Sequence, residues 1–279
     1  MRMNVNYKFR GFPVINRPWL EQLLKGKKSI NENGIILTIE IMDREVKLGP
    51  LVTSLSELRK AMEFMGTEMY AVTEKGLVPL EIRGEHFYRL RGLEKVGPPT
   101  IEINGIHMHR VSKVDPWSDT LSKVRPLNIR KGDRVLDTCM GLGYTAIASL
   151  KRGAKVITVE KSDEVLWLAQ WNPWSRELEE VEVLKGDVAE LIKDMEDESF
   201  DKIIHDPPVI TMAGHLYSKE FYEELYRVLK VGGKLFHYTG NTGRRRGIDL
   251  ARGVMERLRE VGFEVKRYEK ALGVLAIKG

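Results

Sequence analysis

Apolar residues fall into two regimes along this chain. Up to about residue 110 they come in short runs: Ile35 to Ile41 and Glu45 to Leu48 around Met42-Asp43-Arg44, then Glu68 to Thr73, Leu77 to Ile82, His86 to Leu90 and Thr100 to His109, the last broken by Asn104-Gly105. Alternation of period two predicts half-buried strands, and Asn-Gly predicts a tight hairpin turn. Two short helices are expected among them, one from Pro18 to Gly26 and one capped by Ser54 or Ser56 and stopped by Gly66. After Asp115-Pro116-Trp117-Ser118, which opens a helix leading to Pro126, longer strand and helix segments alternate. Strands are expected over 133–137, 155–160, 181–185, 200–205 and 234–239, helices over 144–151, 163–171, 188–193, 219–229 and 248–261, and a closing strand pair over 263–268 and 274–277. Alternating βα units imply a parallel sheet covered on both faces, and the terminal pair implies one antiparallel insertion. The expected fold class is therefore α/β, with a largely parallel sheet domain over 113–279 and a small α+β domain over 1–112.

The strand ends carry the chemistry, because open α/β sheets bind ligands beyond the carboxyl ends of their strands. The run Phe200 to His205 stops in Asp206-Pro207-Pro208. Proline has no N–H and cannot continue a central strand, so the acid emerges where the strand ends. The run Val135-Leu136-Asp137 enters Thr138-Cys139-Met140-Gly141-Leu142-Gly143-Tyr144, a glycine turn before a helix. Gly141 and Gly143 allow close approach of a ligand to the backbone, although the third glycine of a dinucleotide fingerprint is missing. The next two strands end in Glu160 and in Gly186-Asp187, carboxylates able to accept from ribose hydroxyls and from an adenine amine.

With these motifs in place, residues 115–279 resemble the class I S-adenosylmethionine-dependent methyltransferases. Asp137, Gly141 and Gly143 fall on that family's first motif, Glu160 on its ribose-binding acid, Asp187 on its adenine-side acid, and Tyr226 to Leu235 on the stretch before its fifth strand. The resemblance implies a Rossmann-like seven-stranded methyltransferase sheet holding S-adenosylmethionine. Together with Trp171-Asn172-Pro173-Trp174, the turn also looks like an archaeal branch of such enzymes. Asp206-Pro207-Pro208 then corresponds to the motif beside the transferred methyl, which in members acting on exocyclic base amines reads Asp/Asn/Ser-Pro-Pro-aromatic. There the acid and the Pro207 carbonyl would accept the amine hydrogens, so that alignment supplies most of the catalysis. The fourth position is Val209 instead of an aromatic, so stacking on a base would fall to another ring such as Tyr217, and the smaller side chain would leave room for a second methyl.

Charge points to the substrate class. The net charge is +5, and residues 1–30 carry seven basic and one acidic side chain with Tyr7, Phe9, Phe12 and Trp19 interleaved. Such a stretch suits phosphates and unpaired bases, and Arg244-Arg245-Arg246, after the fifth strand of the sheet domain, should lie on the same face as Asp206. The expectation is an RNA substrate, ribosomal in the first instance, with cytidine N4 as the acceptor. A polyamine aminopropyltransferase and a non-catalytic RNA-binding assembly factor are the alternatives. Cys139, the only cysteine, lies in the cofactor turn and is misplaced for pyrimidine C5 chemistry; for ribose methylation Lys219 is the candidate base and Lys202 comes too early on its strand. His107 and His109 share a strand face without a third ligand, and no metal is assigned. With no signal segment or membrane span expected, the chain reads as cytoplasmic, and its few glutamines beside many Lys, Arg and Glu lean towards a thermophile.

Overall fold

The computed structural model describes residues 3–240 and 249–279. Among these, the chain forms two compact units.

The first unit comprises residues 3–7, 118–162, 177–240 and 249–279. Its sheet has eight strands: β1 (Met3–Val5), β2 (Arg134–Asp137), β3 (Lys155–Glu160), β4 (Glu182–Lys185), β5 (Phe200–His205), β6 (Leu229–Tyr238), β7 (Phe263–Tyr268) and β8 (Gly273–Lys278). Their spatial order is β1-β4-β3-β2-β5-β6-β8-β7. Strands β2 to β6 run parallel, and β8 enters antiparallel between β6 and β7. Seven of these strands are the α/β sheet that the sequence pattern predicts. The eighth, β1, lies antiparallel along the outer edge of β4, with Met3 opposite Lys185.

The chain builds outward from β2 through β3 to β4, then returns to place β5 on the other side of β2. That reversal creates a crevice at the carboxyl ends of β2 and β5. Leu136 sits between Ile157 of β3 and Ile203 of β5 on one face, and Val135 lies beside Val156 of β3 on the other, so these central strands carry apolar residues on both faces. The helix Lys219–Val228 covers this layer through buried Phe221, Tyr222, Leu225 and Val228, at the spacing of one helical face, and Ser218 caps its start. Gly262, at φ +116°, ends the helix Leu250–Val261 and turns the chain into β7.

The second unit comprises residues 8–117 and 163–176. It holds three small antiparallel sheets and the helices Arg17–Leu24, Leu55–Glu63 and Asp163–Trp171. Ser54 and Glu57 form a capping box at the start of Leu55–Glu63, and the Asn104-Gly105 turn joins Thr100–Ile103 to Ile106–His107 as expected. The division at 112/113 is displaced in both directions: residues 3–7 belong with the large sheet, and 163–176 belong with the small unit. Tryptophan packing explains the second transfer. Trp171 lies against Phe12 at 5.6 Å and under the Arg10 guanidinium at 4.9 Å, while Trp174 meets Trp117 at 6.0 Å. The basic N-terminal stretch therefore spends Arg10 and Phe12 on packing. His107 bonds Glu102 at 3.1 Å and His109 bonds Thr100 at 2.9 Å, which gives each a role within its sheet. No helix among the described residues is long and apolar enough to cross a membrane.

Glu32 is fully buried in this unit, and burial pushes its carboxyl from an ordinary 4.5 up to about 9. The folded chain keeps a proton that the unfolded chain gives up, so stability is greatest below pH 4.5 and declines until the folded group ionises near 9. Between pH 6 and 8, urea unfolding should show Glu32→Gln losing less stability than the parent by about 1.4 kcal/mol per pH unit. Equal slopes for the two proteins contradict this assignment.

Candidate functional site

Four acids predicted from the sequence stand at the carboxyl ends of the parallel strands of the first unit, and their hydrogen-bond partners differ. Asp137, the last residue of β2, is fully buried. Its oxygens accept from Thr145 at 3.1 Å and from Thr158 at 2.7 Å. Burial raises its carboxyl to about 8, against the opposing effect of the two hydroxyls. It ties β2 to β3 and to the helix Tyr144–Leu150, and so fixes the intervening turn instead of facing outward.

That turn contains Gly141 at φ +55° and Gly143 at φ +75°, a region in which side chains are strained. The two glycines differ in what surrounds them. A Cβ at Gly141 would meet nothing within 4 Å, whereas one at Gly143 would lie 2.5 Å from the Leu178 side chain. Gly141 is thus the point where the turn opens to a ligand, and Gly143 is where it packs. The Gly141 N–H donates to Glu160 at 3.0 Å, and the Ser162 N–H donates to the other oxygen of Glu160 at 2.8 Å. Burial raises the Glu160 pKa, with these backbone donors opposing it. The acid at the end of β3 and the glycine turn after β2 are therefore one hydrogen-bonded assembly.

Asp187 caps the helix Val188–Leu191 by accepting from Ala189 at 3.0 Å. Its second oxygen lies 3.0 Å from the Lys161 ammonium and 3.2 Å from His215 Nε2. Partial burial works to raise its pKa, but the Lys161 contact and the Ala189 N–H outweigh it and hold the carboxyl below its ordinary value. Cap and ion pair account for much of its hydrogen-bonding capacity in this arrangement.

Asp206 follows β5 and is about one-sixth exposed, with side-chain accessibility of 17%. Its Oδ2 accepts from Lys123 Nζ at 2.6 Å, and the same ammonium lies 3.1 Å from Asp119 and 4.1 Å from the centre of the Tyr238 ring. Lys123 was absent from the sequence-derived site. Its only local signal is the i, i+4 pair Asp119–Lys123 on the helix Pro116–Val124, because Asp206 lies 83 residues away. By contrast, Lys202 faces Asp133 at 3.8 Å and Lys219 faces Glu260 at 3.6 Å.

The segment after Asp206 is held from behind. Tyr217, expected to stack on a substrate, is buried and donates its hydroxyl to the Pro208 carbonyl at 3.0 Å. It shapes the loop and has no exposed face for a base. Val209 starts a turn by accepting from Met212 at 2.8 Å and from Ala213 at 3.2 Å. His205, immediately before Asp206, bonds Thr138 through Nδ1 at 2.7 Å and donates from Nε2 to the Leu216 carbonyl at 2.9 Å. Burial lowers its pKa to about 4, so it is a neutral strut joining the ends of β2 and β5 to the 214–217 turn. The Cys139 thiol is pushed well above its ordinary pKa by burial, which leaves it a poor nucleophile. Arg244, Arg245 and Arg246 lie outside the described residues.

An open glycine turn at the end of β2, with acids beyond β3 and β4, fits an adenosyl group. Comparison with known proteins agrees with this geometry. The sequence family described as methyltransferase small domain matches residues 104–246. The Methanocaldococcus jannaschii protein MJ1233, described as uncharacterized, is 50% identical over 245 residues, 85% of this chain and 84% of that protein. From the same organism, "Putative ribosomal RNA large subunit methyltransferase MJ1649" is 37% identical over 87 residues, 30% of this chain and 22% of that protein. Among solved structures, the spermidine synthase of Thermotoga maritima superposes with a TM-score of 0.55 at 19% identity, covering 71% of this chain and 72% of that one, a likeness of fold.

The two glycines should respond differently to substitution. Gly141→Ala carries only the backbone strain of a left-handed residue, roughly 1–2 kcal/mol. Gly143→Ala adds overpacking against fully buried Leu178, a further 1–3 kcal/mol or so. Urea unfolding should rank Gly143→Ala as the less stable, and Leu178→Ala in that background should recover part of the difference. The reverse ranking contradicts the packing role given to Gly143.

Proposed function

This chain belongs to the methyltransferase small-domain family, with S-adenosylmethionine as its cofactor, and from that premise we propose that it methylates an exocyclic base amine in RNA. Cytidine N4 in ribosomal RNA is the acceptor we put first. The observation that carries this reading is the Asp206 carboxylate, partly exposed at the chain-reversal point between β2 and β5, followed by two prolines and held in place by a buried lysine.

The cofactor supplies an electrophilic methyl group on a sulfonium. In this proposal Gly141 provides the close backbone approach, Gly143 packs the turn behind it against Leu178, and Glu160 accepts from the ribose hydroxyls. Asp187 closes the adenine end with Lys161 and His215, and Asp137 acts indirectly by fixing the glycine turn. A primary aromatic amine is a poor nucleophile because its lone pair is delocalised into the ring. A carboxylate accepting one N–H from the amine, with the Pro207 carbonyl taking the other, turns the lone pair towards the methyl group and disperses the positive charge that develops on nitrogen; as nitrogen takes the methyl the carbon–sulfur bond would break to leave a neutral thioether, and the surplus amine proton would pass to the Asp206 carboxylate. Because Pro207 and Pro208 carry no N–H, this segment presents no backbone donor to compete with the amine for Asp206.

RNA is supported by the basic first thirty residues, by the arginines Arg244, Arg245 and Arg246 in the sequence, and by the similarity over 87 residues to a protein described as a putative ribosomal RNA large subunit methyltransferase. Val209 leaves room for an amine that already bears one methyl, so the proposal extends to dimethylation. The fold likeness to spermidine synthases keeps an aminopropyl transfer as the second reading, which predicts binding of decarboxylated S-adenosylmethionine over the cofactor itself.

Nucleoside mass spectrometry of total RNA from cells with and without the gene tests the substrate. One N-methylated nucleoside should disappear from ribosomal RNA when the gene is removed. An unchanged nucleoside profile with an altered polyamine pool favours the second reading. In the purified protein, Asp206→Ala should lower transfer on the order of 100-fold while calorimetry finds cofactor affinity within about threefold of the parent. Near-normal turnover in that variant removes Asp206 from the reaction.

A further inference from the structure

Lys123 is an unusual feature of this unit because its side chain has an accessibility of only 1%. Taking an ammonium out of water costs several kcal/mol, so a buried lysine requires anionic partners. Here Asp119, itself fully buried, stands at 3.1 Å and Asp206 at 2.6 Å, with the Tyr238 ring at 4.1 Å contributing its negative face. The lysine joins three separate pieces of backbone: the helix Pro116–Val124, the chain just beyond β5, and the last residue of β6.

A tie of this kind is a weak source of stability, since buried ion pairs are often replaceable by apolar residues without loss. Its placement is more informative. One end, Asp119, lies in the core, and the other, Asp206, is solvent-accessible at the carboxyl edge of the sheet. Lys123 is too deeply buried to touch a substrate and acts only on the carboxylate in front of it. A carboxylate side chain at a strand end rotates freely about two torsions unless something holds it. An ammonium donating at 2.6 Å from a rigid helix fixes one oxygen, and with it the plane of the group.

We propose that Lys123, anchored by Asp119, is a positioning residue that holds the Asp206 carboxylate in the orientation needed for methyl transfer. This rests on the reading of Asp206 given above. It adds a second residue, remote in sequence, whose effect passes through the first.

Two experiments decide it. With total RNA from cells lacking the gene as methyl acceptor, Lys123→Met and Asp206→Ala should each lower kcat on the order of 100-fold, with the KM for S-adenosylmethionine changed less than about threefold. The double variant should be no more than about threefold below the worse single one, because both changes remove the same oriented carboxylate. Asp119→Asn, which leaves Lys123 and Asp206 in contact, should lose only about tenfold, and it serves where Lys123→Met does not fold. Additive losses in the double variant, or near-normal kcat in Lys123→Met, overturn the proposal. The second experiment needs no acceptor. In protein labelled with 15N-lysine, Lys123 should give a slowly exchanging ammonium signal that shifts in Asp206→Asn and again when S-adenosylhomocysteine is added to the parent. If the parent methylates no RNA, the substrate reading fails on its own, and the ammonium signal still decides the role of Lys123. A signal that is absent, or that ignores both Asp206→Asn and the added nucleoside, refutes it.

Discussion

A carboxylic acid sealed beneath the edge of the sheet organises this site. Asp137 is fully buried, and its oxygens accept from the hydroxyls of Thr145 and Thr158. Burial raises its pKa to about 8, so near neutral pH it holds a proton much of the time. Hydroxyl groups both donate and accept, and the two threonines satisfy it in either state. The bonds run to the neighbouring strand and to the helix beyond the glycine turn, so the turn is clamped on both sides. Gly141 can then point its N–H at Glu160 while its open face looks outward.

The remaining acids along the edge divide the work by environment. Glu160 is bound to the turn through backbone donors, and burial raises its pKa. Asp187 lies among a helix N-terminus, Lys161 and His215, and is held ionised. Asp206 has a buried ammonium behind it. Pairs of ionisable groups with contrasting surroundings mark functional sites. Behind Asp206 the neutral rings of His205 and His237 pack at 4.4 Å, and Tyr217 and Tyr222 extend the cluster. This aromatic layer stiffens the chain on which the reactive segment is mounted.

Much of this was legible in the sequence because the signals are local. The glycine turn, the acids at strand ends and the Pro-Pro stop are each carried by a few adjacent residues, and the alternation of strands and helices gave the sheet. What was not legible depends on contacts between distant segments. Lys123 reads as an ordinary helical lysine until β5 brings Asp206 to it. Tyr217 reads as an available ring until the loop folds back and the Pro208 carbonyl takes its hydroxyl. The strand Met3–Val5 is too short to announce itself and exists because β4 offers an unpaired edge. The tryptophan helix Asp163–Trp171 follows β3 in sequence but buries its rings in the other unit, which no periodicity reveals.

The central claim is that the carboxyl edge between β2 and β5 holds the cofactor with its reactive end towards Asp206. A crystal structure with S-adenosylhomocysteine tests it most directly. The account predicts ribose hydroxyls on Glu160, the nucleoside over Gly141, and the sulfur facing the Asp206 carboxylate with Lys123 still bonded behind it. A nucleoside bound elsewhere, or a sulfur directed away from Asp206, contradicts it.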